Sequence, residues 1–141
     1  VIEGKLAKYG IELTANGQQS IANITLWGTG NPRREFLYSD DLADACAFLM
    51  ENINFTNLKG EKKEVRNTHI NIGTGKDLSI RELAELIKDI VGFEGGILWD
   101  SSKPDGTYQK LLDVSKLNEL GWKEKIELSE GIKKVYDNYI S

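Results

Sequence analysis

The sequence is poor in the residue types that build disulfide frameworks and metal centres. It has one cysteine, Cys46, and one histidine, His69, in 141 residues. A single cysteine excludes an intrachain disulfide, and one Cys with one His cannot supply the ligands of an ordinary zinc site. We therefore expect no metal, and a reducing, cytoplasmic setting.

Long apolar runs and a basic balance are also missing. No stretch approaches the roughly 18 apolar residues that span a bilayer, so we expect no membrane association. The formal net charge is −4, whereas nucleic-acid binders usually present a basic face, so we expect no nucleic-acid partner. The hydrophobic content of 40% is enough for the core of one soluble domain.

The apolar periodicity predicts alternating strands and helices, which is the pattern of an α/β or α+β protein. The predicted helices lie at 1–9, 39–51, 80–91, 113–121 and 128–139. The predicted strands lie at 21–27, 69–73 and 96–100, with a short extended piece at 35–38. We interpret residues 10–20 as a polar turn and residues 52–66 as a solvated loop.

Local signals mark several helix ends. Ser39 is a candidate cap of the second helix, and Ser79 with Glu82 forms a capping box at the head of the third. Gly92 is well suited to end that third helix. Cys46 falls on an apolar stripe and is expected in the core. The final helix is expected to bury Leu128, Ile132, Val135, Tyr136 and Tyr139.

The glycine turn "NIGTGK" (71–76) looks like part of a phosphate-binding loop. A Walker A loop needs glycine at position 70 and Ser or Thr at 77, where this sequence has Ile70 and Asp77. A Rossmann loop needs a third glycine at position 78, which is Leu78. We therefore interpret the segment as a structural turn at the end of a strand.

The segment "WGTGNPRREF" (27–36) raises the question of an anion site. In an extended segment Arg33 and Arg34 point to opposite faces, so one of them can serve a pocket while the other is solvated or paired with an acid. The planar guanidinium suits phosphate. Residue type alone favours surface salt bridges for the arginines, and a core position for Trp27.

The loop "SSKPDGTYQK" (101–110) is fixed by a proline and a DG turn. Lys103, Asp105 and Lys110 either gather around a polar ligand or belong only to the turn. The sequence contains no Ser/His/Asp arrangement, no Tyr-x-x-x-Lys motif and no Gly-rich dinucleotide fingerprint. From the residues alone, this is a binding domain without catalytic apparatus of its own.

Four segments together resemble the GDP-L-fucose synthase family. In chain order they are "LWGTGNPRREFLYSDDLADACAFLM", "HINIGTGKDLSIRELAELI", "SKPDGTYQKLLDVSKLNELGW" and "LSEGIKKVYDNY". The family belongs to the extended short-chain dehydrogenases, which act on nucleotide sugars. Its members are NADPH-dependent GDP-4-keto-6-deoxy-mannose 3,5-epimerase/4-reductases.

The resemblance implies that residues 1–141 are the C-terminal, substrate-binding portion of such an enzyme. The family's N-terminal Rossmann half carries the NADPH site and the catalytic residues, so we expect this chain alone to be inactive. It also implies that residues 39–75 pack on that missing half, that the isolated chain exposes apolar surface, and that the full-length protein is a homodimer.

The resemblance also implies which residues contact the GDP-sugar: Lys8, Trp27, Arg34, Lys103, Asp105 and Lys110. Two alternatives remain open. One is another nucleotide-sugar epimerase or dehydratase that uses a UDP- or dTDP-sugar. The other is a non-catalytic binding module that kept the fold and lost the chemistry.

Overall fold

A computed structural model describes residues 7–8, 10–16, 19–59 and 66–141. The helix predicted over residues 1–9 lies mostly outside these residues. The described strands are β1 (Ile11–Asn16), β2 (Gln19–Trp27), β3 (Arg33–Glu35), β4 (Asp77–Ser79), β5 (Ile97–Asp100) and β6 (Gln109–Lys110). The described helices are α1 (Ser39–Asn52), α2 (Phe55–Lys59), α3 (Ile80–Val91), α4 (Ser115–Glu119) and α5 (Leu128–Ile140). The architecture is therefore mixed α/β, as predicted, and the described strands form two small sheets.

The first sheet has the order β1-β2-β5. β1 runs antiparallel to β2, from Ile11 opposite Ile24 to Asn16 opposite Gln19, and β5 runs parallel to β2. The predicted polar turn over residues 10–20 is therefore wrong. Its first half has apolar residues at alternate positions, Ile11 and Leu13, which is the period of a strand.

The second sheet has the order β4-β3-β6, with β3 antiparallel to β4 and parallel to β6. Arg33 aligns with Ser79 and Gln109, and the next residue, Arg34, aligns with Leu78 and Lys110. Aligned residues of neighbouring strands share a face, and consecutive residues alternate faces. The two arginines therefore lie on opposite faces of this sheet, as predicted.

The ends of α3 follow the local signals of the sequence. The Ser79 hydroxyl accepts from the Glu82 amide and the Glu82 carboxylate accepts from the Ser79 amide, which completes the predicted capping box. Gly92 ends the helix in the left-handed conformation with φ 67°, also as predicted.

The cap of α1 differs from the prediction. Its N-cap is Tyr38, which makes no side-chain cap bond, and Ser39 is the first helical residue. The Leu42 amide donates to the Tyr38 carbonyl at 3.1 Å, so the intrahelical bonds already start there. The carboxylate of buried Asp41 is engaged elsewhere, because it accepts from the amides of Lys125 and Ile126.

The core of the described residues lies where α1, α4 and the segment after α4 meet. Ala45, Leu117 and Trp122 are buried there, and the partly buried residues packed against them are Leu37, Phe48, Leu49, Ile70 and Ile72. The Trp122 indole N–H donates to Asp44 at 2.7 Å. This polar anchor fixes α1 against the segment that carries Trp122.

Three predicted core positions are wrong: Cys46, Val135 and Tyr139. Cys46 is exposed, because its neighbour Ala45 faces the core and successive helical residues are about 100° apart. On the same helix Met50 is 85% exposed. On α5, Val135 and Tyr139 are exposed, while the small residue Gly131 is buried against Tyr38. The other three predicted residues of this helix, Leu128, Ile132 and Tyr136, are partly buried, so the predicted stripe is only partly covered.

Three predicted segment boundaries also change. The segment 52–66 contains the short helix α2, and residues 69–73 form no strand in the described parts of the chain, although Ile70 and Ile72 pack on the core. The helix predicted at 113–121 covers only Ser115–Glu119. An apolar run without a ladder partner remains extended coil, because strand pairing requires an adjacent edge.

Candidate functional site

Two distant segments, 27–34 and 103–110, lie side by side and connect the two sheets. We call them the paired segments. Their contacts join Trp27 to Lys103, Thr29 to Asp105, and Arg34 to Lys110. Residue numbers differ by 76 at each contact, so the two segments run parallel without a slip in register. Five of the six predicted site residues lie on them.

The pairing begins at the end of the first sheet. The Gly28 amide donates to the Asp100 carbonyl at 2.9 Å, and the Lys103 amide donates to the same carbonyl at 3.1 Å. In the register of β2 with β5, Trp27 is aligned with Asp100. The turn at 101–103 inserts three residues after Asp100, so Lys103 takes the place next to Trp27 in the paired segments. Beyond this turn the two strands continue as the paired segments.

Trp27 projects from this end of the site. Its side chain is 75% exposed, so the core position favoured by residue type is wrong. Gly28 follows it with φ 82°, and this left-handed residue turns the chain away directly after the indole. The Lys103 ammonium lies 5.6 Å from the centre of the indole ring, within range of a cation–π contact. The structure therefore brings Trp27 and Lys103 together.

Asp105 bonds the second segment to the first. Its Oδ1 accepts from the Thr29 amide at 2.6 Å, and its Oδ2 accepts from the Thr29 hydroxyl at 2.7 Å. These two bonds lower the pKa of Asp105 below its ordinary value. A Cβ on Gly28 would collide with Oδ1, so the carboxylate fits only beside a glycine. Both carboxylate oxygens are thus engaged within the fold.

Arg33 is paired with acids, as predicted. Its Nε lies 2.8 Å from Asp77 Oδ1 and its Nη1 lies 3.5 Å from Glu82 Oε2. The hydrogen bond from Asp77 raises the pKa of Arg33. The pKa of Asp77 is lowered, first by the Gln109 amide at 2.5 Å and then by Arg33. This network joins all three strands of the second sheet on the face away from Arg34.

Arg34 and Lys110 lie on the other face as aligned neighbours. The Arg34 guanidinium donates to the Arg33 carbonyl at 2.6 Å and to the Tyr108 carbonyl at 3.5 Å. Within the described residues, neither Arg34 nor Lys110 forms an ion pair with a carboxylate. Two adjacent cations without a counter-charge suit a ligand that brings its own negative charge.

The loop between Trp27 and β3 is also held by Arg81 and Trp99, which the sequence analysis does not identify. Arg81 stacks on the Trp99 ring at 4.5 Å, its guanidinium donates to the Thr29 carbonyl, and its amide donates to the Gly30 carbonyl at 2.9 Å. Gly30 has φ 77°, and a Cβ there would lie 2.6 Å from Trp99. No sequence signal marks this contact, because Arg81 and Trp99 look like ordinary helix and strand residues.

The "NIGTGK" turn already holds an anion of its own. Glu35 Oε1 accepts from the amides of Thr74 and Gly75 at 2.5 and 2.6 Å, and its Oε2 accepts from the Leu112 amide at 3.1 Å. The amides that would bind phosphate in a phosphate loop thus bind an internal carboxylate. The prediction of a structural turn is confirmed, although no strand precedes the turn.

Lys8 is the predicted site residue that lies off the paired segments. It is exposed, and it precedes Gly10, whose carbonyl accepts from the Thr25 amide at 2.7 Å. Among residues 7–8, 10–16, 19–59 and 66–141, its side chain makes no hydrogen bond or ion pair. The structure thus connects Lys8 to the strand that carries Trp27, without bringing it into contact with the site.

Two further findings concern metal ions and membranes. Across the parts of the chain that the structure describes, no three His, Cys, Asp or Glu side chains are grouped as metal ligands would be. None of the described helices has both the length and the apolar character needed to cross a membrane.

The profile of the NAD dependent epimerase/dehydratase family matches residues 3–73, which is half of the chain. The chain belongs to this family.

Individual relatives agree with the resemblance to the GDP-L-fucose synthases. "Probable GDP-L-fucose synthase 1" of Oryza sativa subsp. japonica is 50% identical over 119 residues, covering 84% of this chain and 33% of the rice protein. A GDP-6-OMe-4-keto-L-xylo-heptose reductase from C. jejuni has a TM-score of 0.85 and 46% identity, covering 97% of this chain and 37% of that one.

A third relative was crystallised in the presence of NADPH. It is a GDP-D-glycero-L-gluco-heptose synthase from Campylobacter jejuni, with a TM-score of 0.83 and 44% identity over 99% of this chain and 37% of that one. The chain thus spans about a third of the length of the relatives it matches. Their names share one feature, a GDP-linked sugar.

Proposed function

We propose that this chain is the substrate-binding portion of an NADPH-dependent GDP-sugar epimerase/reductase that converts GDP-4-keto-6-deoxy-mannose to GDP-L-fucose. One observation carries the proposal. Arg34 and Lys110 share a face of the second sheet and lack an acidic partner among the described residues, on the same paired segments that carry exposed Trp27. The GDP-linked sugars named for the relatives support the choice of nucleotide.

Each residue has a specific role in this proposal. Arg34 and Lys110 bind the diphosphate through charge-assisted hydrogen bonds, with the guanidinium serving as a two-pronged donor. Trp27 offers its flat indole to the nucleobase or ribose, and Lys103 places a cation over the ring. Lys8 approaches from the start of β1. The chain contributes orientation, because a bound diphosphate fixes where the attached sugar lies.

In this proposal the described residues do not form the NADPH site. The glycine turn at 71–76 is filled by Glu35, so the described residues that look most like a phosphate loop are not free to hold the cofactor. We assign NADPH, which would supply the hydride for the reduction, to the remaining two thirds of the full-length polypeptide. The full-length enzyme is proposed to be a homodimer.

The same proposal accounts for the exposed apolar residues of α1 and for residues 69–75, on which another part of the polypeptide would pack. Leu42 and Met50 on α1 are exposed, and residues 69–73 are extended without a strand partner in the described part of the chain. The relatives are about two and a half times as long as this chain. We propose that the remainder of the polypeptide packs on this side, where it would cover the apolar residues.

Calorimetry on the 141-residue protein tests the nucleotide assignment. We expect GDP to bind more tightly than UDP or inorganic phosphate, and Arg34→Met with Lys110→Met to abolish binding. Lys123→Met removes one exposed charge outside the paired segments and should leave the affinity unchanged. Tighter binding of UDP than of GDP would favour a UDP- or dTDP-sugar enzyme. Unchanged affinity in the double variant would reject the site.

A second candidate keeps the nucleotide and changes the sugar. Both C. jejuni relatives carry GDP-heptose names, and they match nearly the whole of this chain. The full-length enzyme can be supplied with NADPH and either GDP-4-keto-6-deoxy-mannose or a GDP-4-keto-heptose. The fucose assignment predicts faster NADPH consumption with GDP-4-keto-6-deoxy-mannose. A preference for the heptose would replace the fucose assignment without affecting the nucleotide site.

A further inference from the structure

We propose that Asp105 is a positioning residue, whose bonds to Thr29 hold Lys103 beside the Trp27 indole before a ligand arrives. The inference rests on the proposed function, since it concerns the same nucleotide site. It assigns Asp105 a different role from the ligand contact that the family resemblance implies.

The geometry argues against a direct ligand contact by Asp105. Oδ1 and Oδ2 both accept hydrogen bonds from Thr29, at 2.6 and 2.7 Å, and Gly28 lies against Oδ1. A carboxylate placed directly on a diphosphate would also repel it, because like charges at short range disfavour binding. The charge of Asp105 is instead directed into the first segment, toward the Thr29 donors.

Thr29 is a suitable anchor because it is held on its other side. Its carbonyl accepts from the Arg81 guanidinium, and that guanidinium stacks on Trp99. The two residues belong to α3 and β5, which are regular elements of the fold. Asp105 therefore attaches an exposed loop to a point that the body of the protein already fixes.

The loop that Asp105 attaches is the one that carries Lys103. Residues 101–107 are exposed, and Lys103 lies two residues before Asp105 with Pro104 between them. The Lys103 ammonium lies 5.6 Å from the Trp27 ring centre. Holding a long side chain in place beforehand removes part of the ordering cost of binding. If Asp105 no longer bonds to Thr29, Lys103 should become mobile in the free protein. Binding would then have to order this side chain, which lowers the affinity.

A measurement without ligand tests the attachment itself. NMR of the 141-residue protein should show the Lys103 side-chain protons shifted upfield by the Trp27 ring, and Trp27→Ala should remove that shift. We expect Asp105→Asn and Thr29→Val to reduce the shift, and Thr29→Ser, which keeps the hydroxyl, to preserve it. Asp113→Asn is the matched control, because Asp113 also accepts from a nearby amide, that of Ser115, outside the paired segments. A Lys103 shift that persists in Asp105→Asn would overturn the proposal.

Binding of GDP to the same variants tests the consequence. Asp105→Asn should raise the Kd roughly two- to tenfold, the range expected when one long side chain must be ordered on binding. Lys103→Met should raise it at least as much, and the double variant should equal Lys103→Met, because Asp105 acts through Lys103.

Additive effects of the two substitutions would mean that Asp105 acts on the ligand directly, and would overturn the positioning role. If the unmodified protein fails to bind GDP, the proposed nucleotide site is rejected. The ligand-free NMR measurement then still decides whether Asp105 holds Lys103 against Trp27, so the two failures are distinguishable.

Discussion

Replacement of Glu35 by alanine tests how the structure keeps the "NIGTGK" turn in place. The Glu35 carboxylate accepts from three backbone amides, those of Thr74, Gly75 and Leu112. Each amide that loses its acceptor costs about 1 kcal/mol where water can partly replace the bond, so Glu35→Ala should lose about 3 kcal/mol of unfolding free energy. For a chain of this length, such a loss lowers the Tm by about 10 °C.

Circular dichroism during thermal and urea unfolding measures this loss. Glu35→Gln provides the matched control, since its amide oxygen still accepts from one side while its NH₂ group faces an amide that it cannot satisfy. We expect Glu35→Gln to lose about a third as much as Glu35→Ala, in proportion to the one bond in three that it breaks. Equal losses in both variants would contradict the assignment of separate acceptors to the two oxygens.

Chemical rescue makes the same prediction sharper. Once the carboxylate is removed, the amides of Thr74 and Gly75 face an empty space of carboxylate size. Formate should enter that space and raise the Tm of Glu35→Ala, and it should leave the unmodified protein unchanged because a ligand stabilises only the state that binds it. A Tm loss of less than about 2 °C, or equal effects of formate on both proteins, would refute the reasoning.

Four other predictions follow from the fold. Leu117→Ala, at a position that is 1% exposed, should cost about 2–5 kcal/mol in urea unfolding; a smaller loss would mean that the core closes around the cavity. Gly30→Ala should lower the Tm, because it combines φ 77° with a Cβ 2.6 Å from Trp99, and the same substitution should cost less when it is made in a Trp99→Ala background. The pKa of Asp77 is lowered from its ordinary value of 3.8, so its contribution to stability is complete above that pH and is lost as the pH falls through the lower folded-state pKa. Asp77→Asn should therefore reduce the acid sensitivity of the Tm below about pH 4. An unchanged dependence of the Tm on pH would reject this contribution. The 141-residue protein should not consume NADPH with GDP-4-keto-6-deoxy-mannose, and measurable oxidation at 340 nm would show catalytic groups within this chain.

The elements that were predicted well carry their signals within a few residues. The capping box of Ser79 and Glu82 and the left-handed Gly92 define α3 from local sequence alone. The opposite faces of Arg33 and Arg34 follow from strand alternation, which needs no knowledge of the rest of the fold.

The elements that were missed depend on distant partners. The sequence of β1 looks like a turn, because its strand character is completed only by pairing with β2. Residues 69–73 look like a strand, but the described chain offers them no adjacent edge. Cys46 and Ala45 are both small residues on the same helix, and only tertiary packing decides which of them faces Leu117.

The candidate site shows the same division. Residue type alone favours a surface salt bridge for Arg34 and leaves the role of Lys110 open, and only the family resemblance implies that both belong to one site. The link from Thr29 to Asp105 joins residues 76 positions apart, so no local pattern reveals it. The sequence analysis misses Glu35 for the same reason, because its amide partners come from two distant segments.

The constant spacing of the paired segments sets where this chain tolerates changes in length. An insertion between the segments, for example next to the surface helix α2, which has no buried residues, changes the numbering difference and leaves every facing pair intact. One extra residue within positions 28–32 would instead slide one segment past the other and move Arg34 to the opposite face of its sheet. The region around α2 is therefore the place to attach a tag or a fluorescent probe, while length changes in either paired segment should disrupt every facing pair beyond the insertion.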